Sequence, residues 1–223
     1  MSGTDQELFN LAMSEESRPL MYAVQKHITE NVAPITEEFF ALNDEKEDRW
    51  TWHPRQTELL EGAKAKAKES GLWNFFLPDA ETGQGLNNLD YAYIAAELGK
   101  YSLASETLNC SAPDTGNMEV LERVGTPEQK DKWLTPLLNG EIRSAFAMTE
   151  PGVASSDAKN ISTSAVLKNG EWVINGEKYY ISGAGDPRCK IMITMVKTSP
   201  NAAPSKQQSQ ILVPIGTPGA EMV

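Results

Sequence analysis

STSAVLKNGEWVINGEKYYIS, residues 162–182, decides how this chain is read. Two Asn-Gly pairs, Asn169-Gly170 and Asn175-Gly176, punctuate short runs rich in Val, Ile, Trp and Tyr. Asn-Gly supplies the positive φ that a type I′ turn needs, so each pair is a strong hairpin signal. The spacing predicts an antiparallel meander with strands over 162–168, 171–174 and 177–182. Further on, Lys190 to Val196 and Gln210 to Ile215 read as two more strands. A polar, proline-bearing loop joins them.

Upstream of about residue 141 the period changes to that of helices. Leu59, Leu60, Ala63 and Ala67 recur on one face, with Gly71 as a stop. Residues 89–98 are apolar nearly all round, which predicts a buried helix capped by Asn87 or Asn88 and ended by Gly99. Another helix follows Asp114, carries Met118, Leu121 and Val124, and ends at Gly125. The next opens on Thr126-Pro127 with Gln129 three residues after the cap, the pattern of a capping box. Trp133, Leu134, Leu137 and Leu138 give it an apolar face. Asn43 to Arg49 is a charge run without period and reads as a solvated loop or helix end. Helices come first and strands after, so the fold class is α+β. Two domains are expected, an all-α domain over 1–140 and a β-domain over 141–223.

Composition narrows the partners. Hydrophobic residues make up 40% of the chain and charged residues 23%, as in ordinary globular proteins. The net charge is -11. Residues 1–140 hold 12 Lys/Arg against 24 Asp/Glu, a balance of −12, and residues 141–223 hold 8 against 7, a balance of +1. Such a chain lacks the basic stripe that nucleic acid or an anionic membrane surface requires. No apolar run is long enough to span a membrane, and the first ten residues lack the layout of a signal peptide. A cytoplasmic location is therefore expected. Cys110 and Cys189 read as free, buried thiols.

Several chemistries find no support. No Walker-type loop occurs, and Gly83 and Gly85 form only part of a dinucleotide fingerprint, with Asn88 where the last glycine belongs. His27 and His53 have no metal-ligand spacing, so no metal site is expected. No nucleophile elbow is present. The informative stretch is FAMTEPGVASSD, residues 146–157, a short apolar strand entering a turn of small and hydroxyl residues. Small side chains let a ligand approach the backbone, and free N–H groups with Ser hydroxyls can bind anions. The same pattern also suits a plain strand-to-loop junction.

FAMTEPGVASSD resembles the flavin-contacting signature of the acyl-CoA dehydrogenases. Three further segments resemble that family in the same order. They are GLWNFFLPDAETGQGLNNLDYAYIAAELG (71–99), RVGTPEQKDKWLTPLLNGE (123–141) and EWVINGEKYYISGAG (171–185). APDTGNMEVLERVG and ISGAGDPRCK look most similar to a long-chain-type branch that includes large multidomain members. The resemblance implies a helical bundle followed by an antiparallel β-barrel-like domain, with FAD as cofactor and an acyl-CoA as substrate. It implies α,β-dehydrogenation to a trans-2-enoyl-CoA in fatty acid β-oxidation, with an electron-transfer flavoprotein as acceptor and assembly into a homo-oligomer.

By the same resemblance Phe146, Met148 and Thr149 line the flavin edge, Tyr180 packs beside the ring, and Ser182 hydrogen-bonds near N5. Tyr180 and Ser182 stand where relatives often have Trp and Thr. The turn is one residue longer than the commonest family spacing, so Ser155 and Ser156 both stand as candidates for the cofactor and substrate contact. The family's catalytic base is a Glu in a C-terminal helical domain, expected beyond Val223. Neither Glu221 nor Glu150 is assigned that role, and the chain alone is expected to be inactive. Two other readings stay open: a non-catalytic flavin- or acyl-CoA-binding fragment, and an acyl-CoA oxidase or flavin monooxygenase-like relative.

Overall fold

The computed structural model describes residues 11–46, 48–79 and 82–223. The first ten residues, Glu47 in the charge run, and Ala80 and Glu81 in the glycine-rich segment lie outside the described residues. The chain divides into two compact units, Met1–Ser111 and Ala112–Val223. Each is taken by itself.

The first unit is helical. α1 (Arg18–His27) passes through a π-helical turn (Ile28–Val32) into α2 (Ala33–Ala41). Pro34 explains the wide turn, because its ring has no N–H to give and crowds the carbonyl four residues earlier. α3 (Pro54–Glu69) opens with a capping box, His53 accepting from Arg55 N–H while Gln56 reaches back to His53 N–H. α4 (Asn88–Leu98) is capped by Asn87, whose side chain accepts from Asp90 N–H. α5 (Ala104–Thr107) is a single turn. The core gathers Val24, Leu60, Ala67, Phe75, Leu77, Ile94 and Leu108, all essentially without solvent contact. Each of these side chains larger than alanine stabilises the fold by about 1.5–3 kcal/mol relative to exposure. One expectation fails here. α4 buries only Asp90, Ile94 and Leu98 and leaves Ala92, Tyr93 and Ala96 exposed, so the helix is covered on one face and not all round.

The second unit begins with helices. α6 (Asp114–Val124) presents Met118 and Leu121 to its core and ends at Gly125. α7 (Pro127–Gln129) carries the expected capping box on Thr126. It runs through a second π-helical turn (Lys130–Leu134) into α8 (Thr135–Leu138). Here too a proline, Pro136, follows the wide turn. Asp114 at the head of α6 accepts from the Ser144 N–H and hydroxyl and pairs with Arg143, which fastens the helix to the first strand.

Five strands follow: β1 (Arg143–Ala147), β2 (Ser164–Lys168), β3 (Glu171–Asn175), β4 (Cys189–Lys197) and β5 (Gln208–Pro214). They form one mixed sheet in the order β1-β4-β2-β3, with β5 paired to β4. β4 is the centre, flanked by β1 in parallel and β5 in antiparallel register. β2 meets β4 only at Ser164↔Lys197 and pairs fully with β3. The α+β order of helices then strands holds. The antiparallel, barrel-like expectation does not, because β1 and β2 run parallel to β4 and the sheet stays open.

The two Asn-Gly pairs part company. Asn169 and Gly170 both take positive φ, 53° and 84°, and close the β2–β3 hairpin. Asn175-Gly176 makes no hairpin, and 177–182 is not a strand. A Cβ on Gly176 would lie 2.3 Å from Thr163 Oγ1, so glycine there serves a close passage of the backbone. The chain then leaves β3 and crosses to β1.

Candidate functional site

β1 sends Ala145 and Ala147 into the core and leaves Phe146, and Met148 beyond the strand end, half-buried on the other side. After Thr149 the chain turns Glu150 inward, where it is only 4% exposed. Its carboxylate is saturated. Oε2 accepts the Ser162 N–H (2.7 Å) and hydroxyl (2.6 Å), and Oε1 accepts the Thr163 N–H (2.9 Å) and the Lys178 ammonium (2.9 Å). Burial alone would raise its pKa, but the hydrogen bonds from Ser162, Thr163 and Lys178 win and hold the carboxyl well below the usual range. Burial lowers the pKa of Lys178, and Glu150 opposes that only in part. Glu150 is thus an anion engaged inside the fold.

Lys178 does more than pair with Glu150. It also donates to the Met148 carbonyl at 3.0 Å. Next to it, Tyr179 N–H donates to the Thr149 carbonyl at 2.8 Å. A Cβ on Gly183 would touch the Ser144 carbonyl at 3.5 Å. Residues 178–183 therefore run antiparallel beside 144–149.

The turn after Pro151 separates the two serines. Ser155 is buried, accepts the Glu150 N–H at 2.8 Å, and has the Val153 and Glu150 carbonyls within 3.2 and 3.4 Å. Its hydroxyl closes the turn. Ser156 is exposed, and its hydroxyl has no partner among the described residues. Asp157 accepts the Lys159 N–H at 3.1 Å, and the Asn160 amide donates to the Ala154 carbonyl at 3.2 Å, which finishes the loop.

Tyr180 sits at φ 53° and is 81% exposed. A non-glycine residue in that region costs on the order of 1–3 kcal/mol, a strain that gathers at functional sites. Its ring lies 4.0 Å from that of Tyr179, centroid to centroid. Thr149 and Ser182 are exposed, and their hydroxyls have no partner among the described residues. The Thr149 N–H is likewise unpaired there. The structure thus sets Met148 and Thr149 beside Lys178–Tyr180, with Phe146 and Met148 as an apolar margin. Two unpartnered hydroxyls, a free N–H and an exposed aromatic on these adjoining segments suit a flat ligand with an apolar body and a polar rim. Lys178 escaped the sequence reading. Its only signal was a single cation in the run Glu177-Lys178-Tyr179-Tyr180-Ile181, and nothing local ties it to Glu150.

Comparison with known proteins agrees across the chain. Residues 14–141 match the family model described as acyl-CoA dehydrogenase, N-terminal domain, and residues 145–222 match acyl-CoA dehydrogenase, middle domain. Mouse acyl-CoA dehydrogenase family member 10 is 47% identical over 95% of this chain. A solved structure from Mycobacterium abscessus, assigned to the acyl-CoA dehydrogenases, is 46% identical, with a TM-score of 0.86 over 93% of this chain and 52% of its own. An acyl-CoA dehydrogenase from Bacillus anthracis, solved in complex with FAD, shares the fold at 24% identity, with a TM-score of 0.64 over 94% of this chain and 32% of its own. This chain spans 20% of the mouse relative's length and 40% of that of a Mycobacterium tuberculosis relative. Among the described residues, no helix is long and apolar enough to cross a membrane.

Proposed function

Because this chain belongs to the acyl-CoA dehydrogenase family, we propose that residues 146–182 form the flavin-facing wall of an FAD-dependent enzyme. Its reaction takes a fatty acyl-CoA to the trans-2-enoyl-CoA. The observation that carries this reading is that the unpartnered hydroxyls of Thr149 and Ser182 lie on adjoining segments with Tyr180, which is held exposed and left-handed. When bound, FAD supplies the acceptor for a hydride from the substrate β-carbon. Thr149, through its hydroxyl and N–H, would hold the polar rim of the flavin. Tyr180 would pack beside the ring, Ser182 would donate near N5, and Phe146 with Met148 would exclude water from the edge. Of the two serines, Ser156 is the one free to reach a ligand, since Ser155 is spent inside the turn.

Glu150 does not serve as the base that removes the substrate α-proton. Its oxygens are fully used, and its low pKa makes it a poor proton acceptor. The base comes from outside 146–182, and the chain by itself turns over no acyl-CoA. An electron-transfer flavoprotein as acceptor, assembly into a homo-oligomer and a place in fatty acid β-oxidation belong to the same proposal.

The test is titration of the chain with FAD, followed by quenching of flavin fluorescence. Saturable uptake is expected, weakened by Thr149→Val and by Tyr180→Ala at unchanged fold. No uptake, or uptake indifferent to both substitutions, would sink the reading. Anaerobic addition of acyl-CoAs of graded length should leave the bound flavin unbleached.

A further inference from the structure

We propose that Lys178 is a positioning residue that also polarises the flavin-facing peptide between Met148 and Thr149; the inference rests on the reading of 146–182 as a flavin site. The carbonyl of Met148 and the N–H of Thr149 belong to one peptide unit. An ammonium hydrogen-bonded to the oxygen draws electron density toward it and makes the N–H at the other end a stronger donor. That N–H has no partner among the described residues, so its donor capacity is left for a ligand.

The charge is fixed where it acts. The Lys178 side chain is 12% exposed, and its second hydrogen bond goes to Glu150. Glu150 is in turn held by the Ser162 and Thr163 backbone N–H groups. The clamp therefore reads as a chain of contacts from the β2 approach, through a buried carboxylate and an ammonium, to one carbonyl on the site. The bond from Tyr179 N–H to the Thr149 carbonyl keeps the same two segments in register. A stronger donor at the site favours a ligand that carries negative charge over the same ligand without it. The reduced flavin carries that charge and the oxidised flavin does not, so Lys178 biases the site toward the reduced form.

The experiment measures dissociation constants of the chain for oxidised FAD and, anaerobically, for dithionite-reduced FAD. Lys178→Met is expected to weaken the reduced form about tenfold more than the oxidised one, the size of one lost charge-assisted hydrogen bond. Lys178→Arg, which keeps the charge, should restore most of the difference. Equal losses for the two forms would show a merely structural role and overturn the inference. Should Lys178→Met fail to fold by circular dichroism, Lys178→Gln is used instead. It also removes the ammonium from the Met148 carbonyl, and an unchanged ratio of the two affinities would overturn the inference as surely. A parent chain that takes up neither form overturns the site reading, and this inference with it.

Discussion

Replacing Glu150 by Ala strands four donors at once: the Ser162 N–H and hydroxyl, the Thr163 N–H and the Lys178 ammonium. Ser162 is exposed and can turn to water. Thr163 is 2% exposed and the Lys178 head is nearly covered, so neither rehydrates freely. A buried N–H left unsatisfied costs about 1–3 kcal/mol. Breaking a buried ion pair from one side costs about 3–5 kcal/mol. The two figures overlap in the same atoms, so the whole loss is set at about 3–5 kcal/mol, a melting-point drop of roughly 10–20 °C for a unit of this size. Urea unfolding followed by far-UV circular dichroism and Trp172 fluorescence reads it. Adding Lys178→Met to Glu150→Ala should return part of the loss, because the orphaned charge goes with it. A loss below about 1 kcal/mol, the level of an exposed pair, would refute the reasoning. The pH dependence has a definite sign. The folded carboxyl titrates below its ordinary 4.5, so its contribution is complete above that value and is lost as the pH falls toward the folded pKa. Glu150→Gln should flatten that acid limb.

Three further outcomes follow from particular contacts. Gly176→Ala places a Cβ 2.3 Å from Thr163 Oγ1 and should destabilise the second unit by about 2–3 kcal/mol, measured in the same unfolding assay. His27 is buried, with Nε2 3.1 Å from Thr107 Oγ1, whose own proton goes to the Ala104 carbonyl. Nε2–H therefore donates to Thr107. Burial lowers its pKa below 6.5, so the first unit should lose stability as the pH drops through that value, and His27→Gln should remove this slope in melts at pH 8 and 5.5. Burial pushes the Cys110 thiol up to about 12 and the Cys189 thiol up to about 11. Both should resist iodoacetamide in the native chain and react in urea; fast native labelling would contradict the packing.

What the sequence made legible was what neighbours along the chain decide. The capping box of Thr126 and Gln129, the Asn87 cap and the Asn169-Gly170 turn are each settled within four residues, and each forms. Asn175-Gly176 carries the same local signal and does something else, because a distant side chain, Thr163, requires the missing Cβ. The parallel pairing of β1 with β4 joins residues some 46 apart, from Arg143↔Cys189 onward, and no period along either strand announces it. α4 is apolar nearly all round, yet cover comes from its neighbours, and one face has it. Of the candidate site, the 146–149 edge and Tyr180 with Ser182 were proposed through resemblance, whereas the different burial of Ser155 and Ser156 is a property of the folded turn. Lys178 stayed hidden because its partners, Met148 and Glu150, lie 30 and 28 positions away.

The segment 178–183 has one more consequence. It lies beside β1, the strand at one end of the sheet order, and an uncovered end strand offers a row of unpaired N–H and C=O groups to another chain. The same residues carry Tyr180 and Ser182. A ligand that grips them also keeps the strand shielded, stabilising the closed arrangement in proportion to its occupancy. If the proposed flavin site is right, colloidal behaviour and ligand loading are linked: the chain without ligand should self-associate, and light scattering during a flavin titration should fall as the site fills.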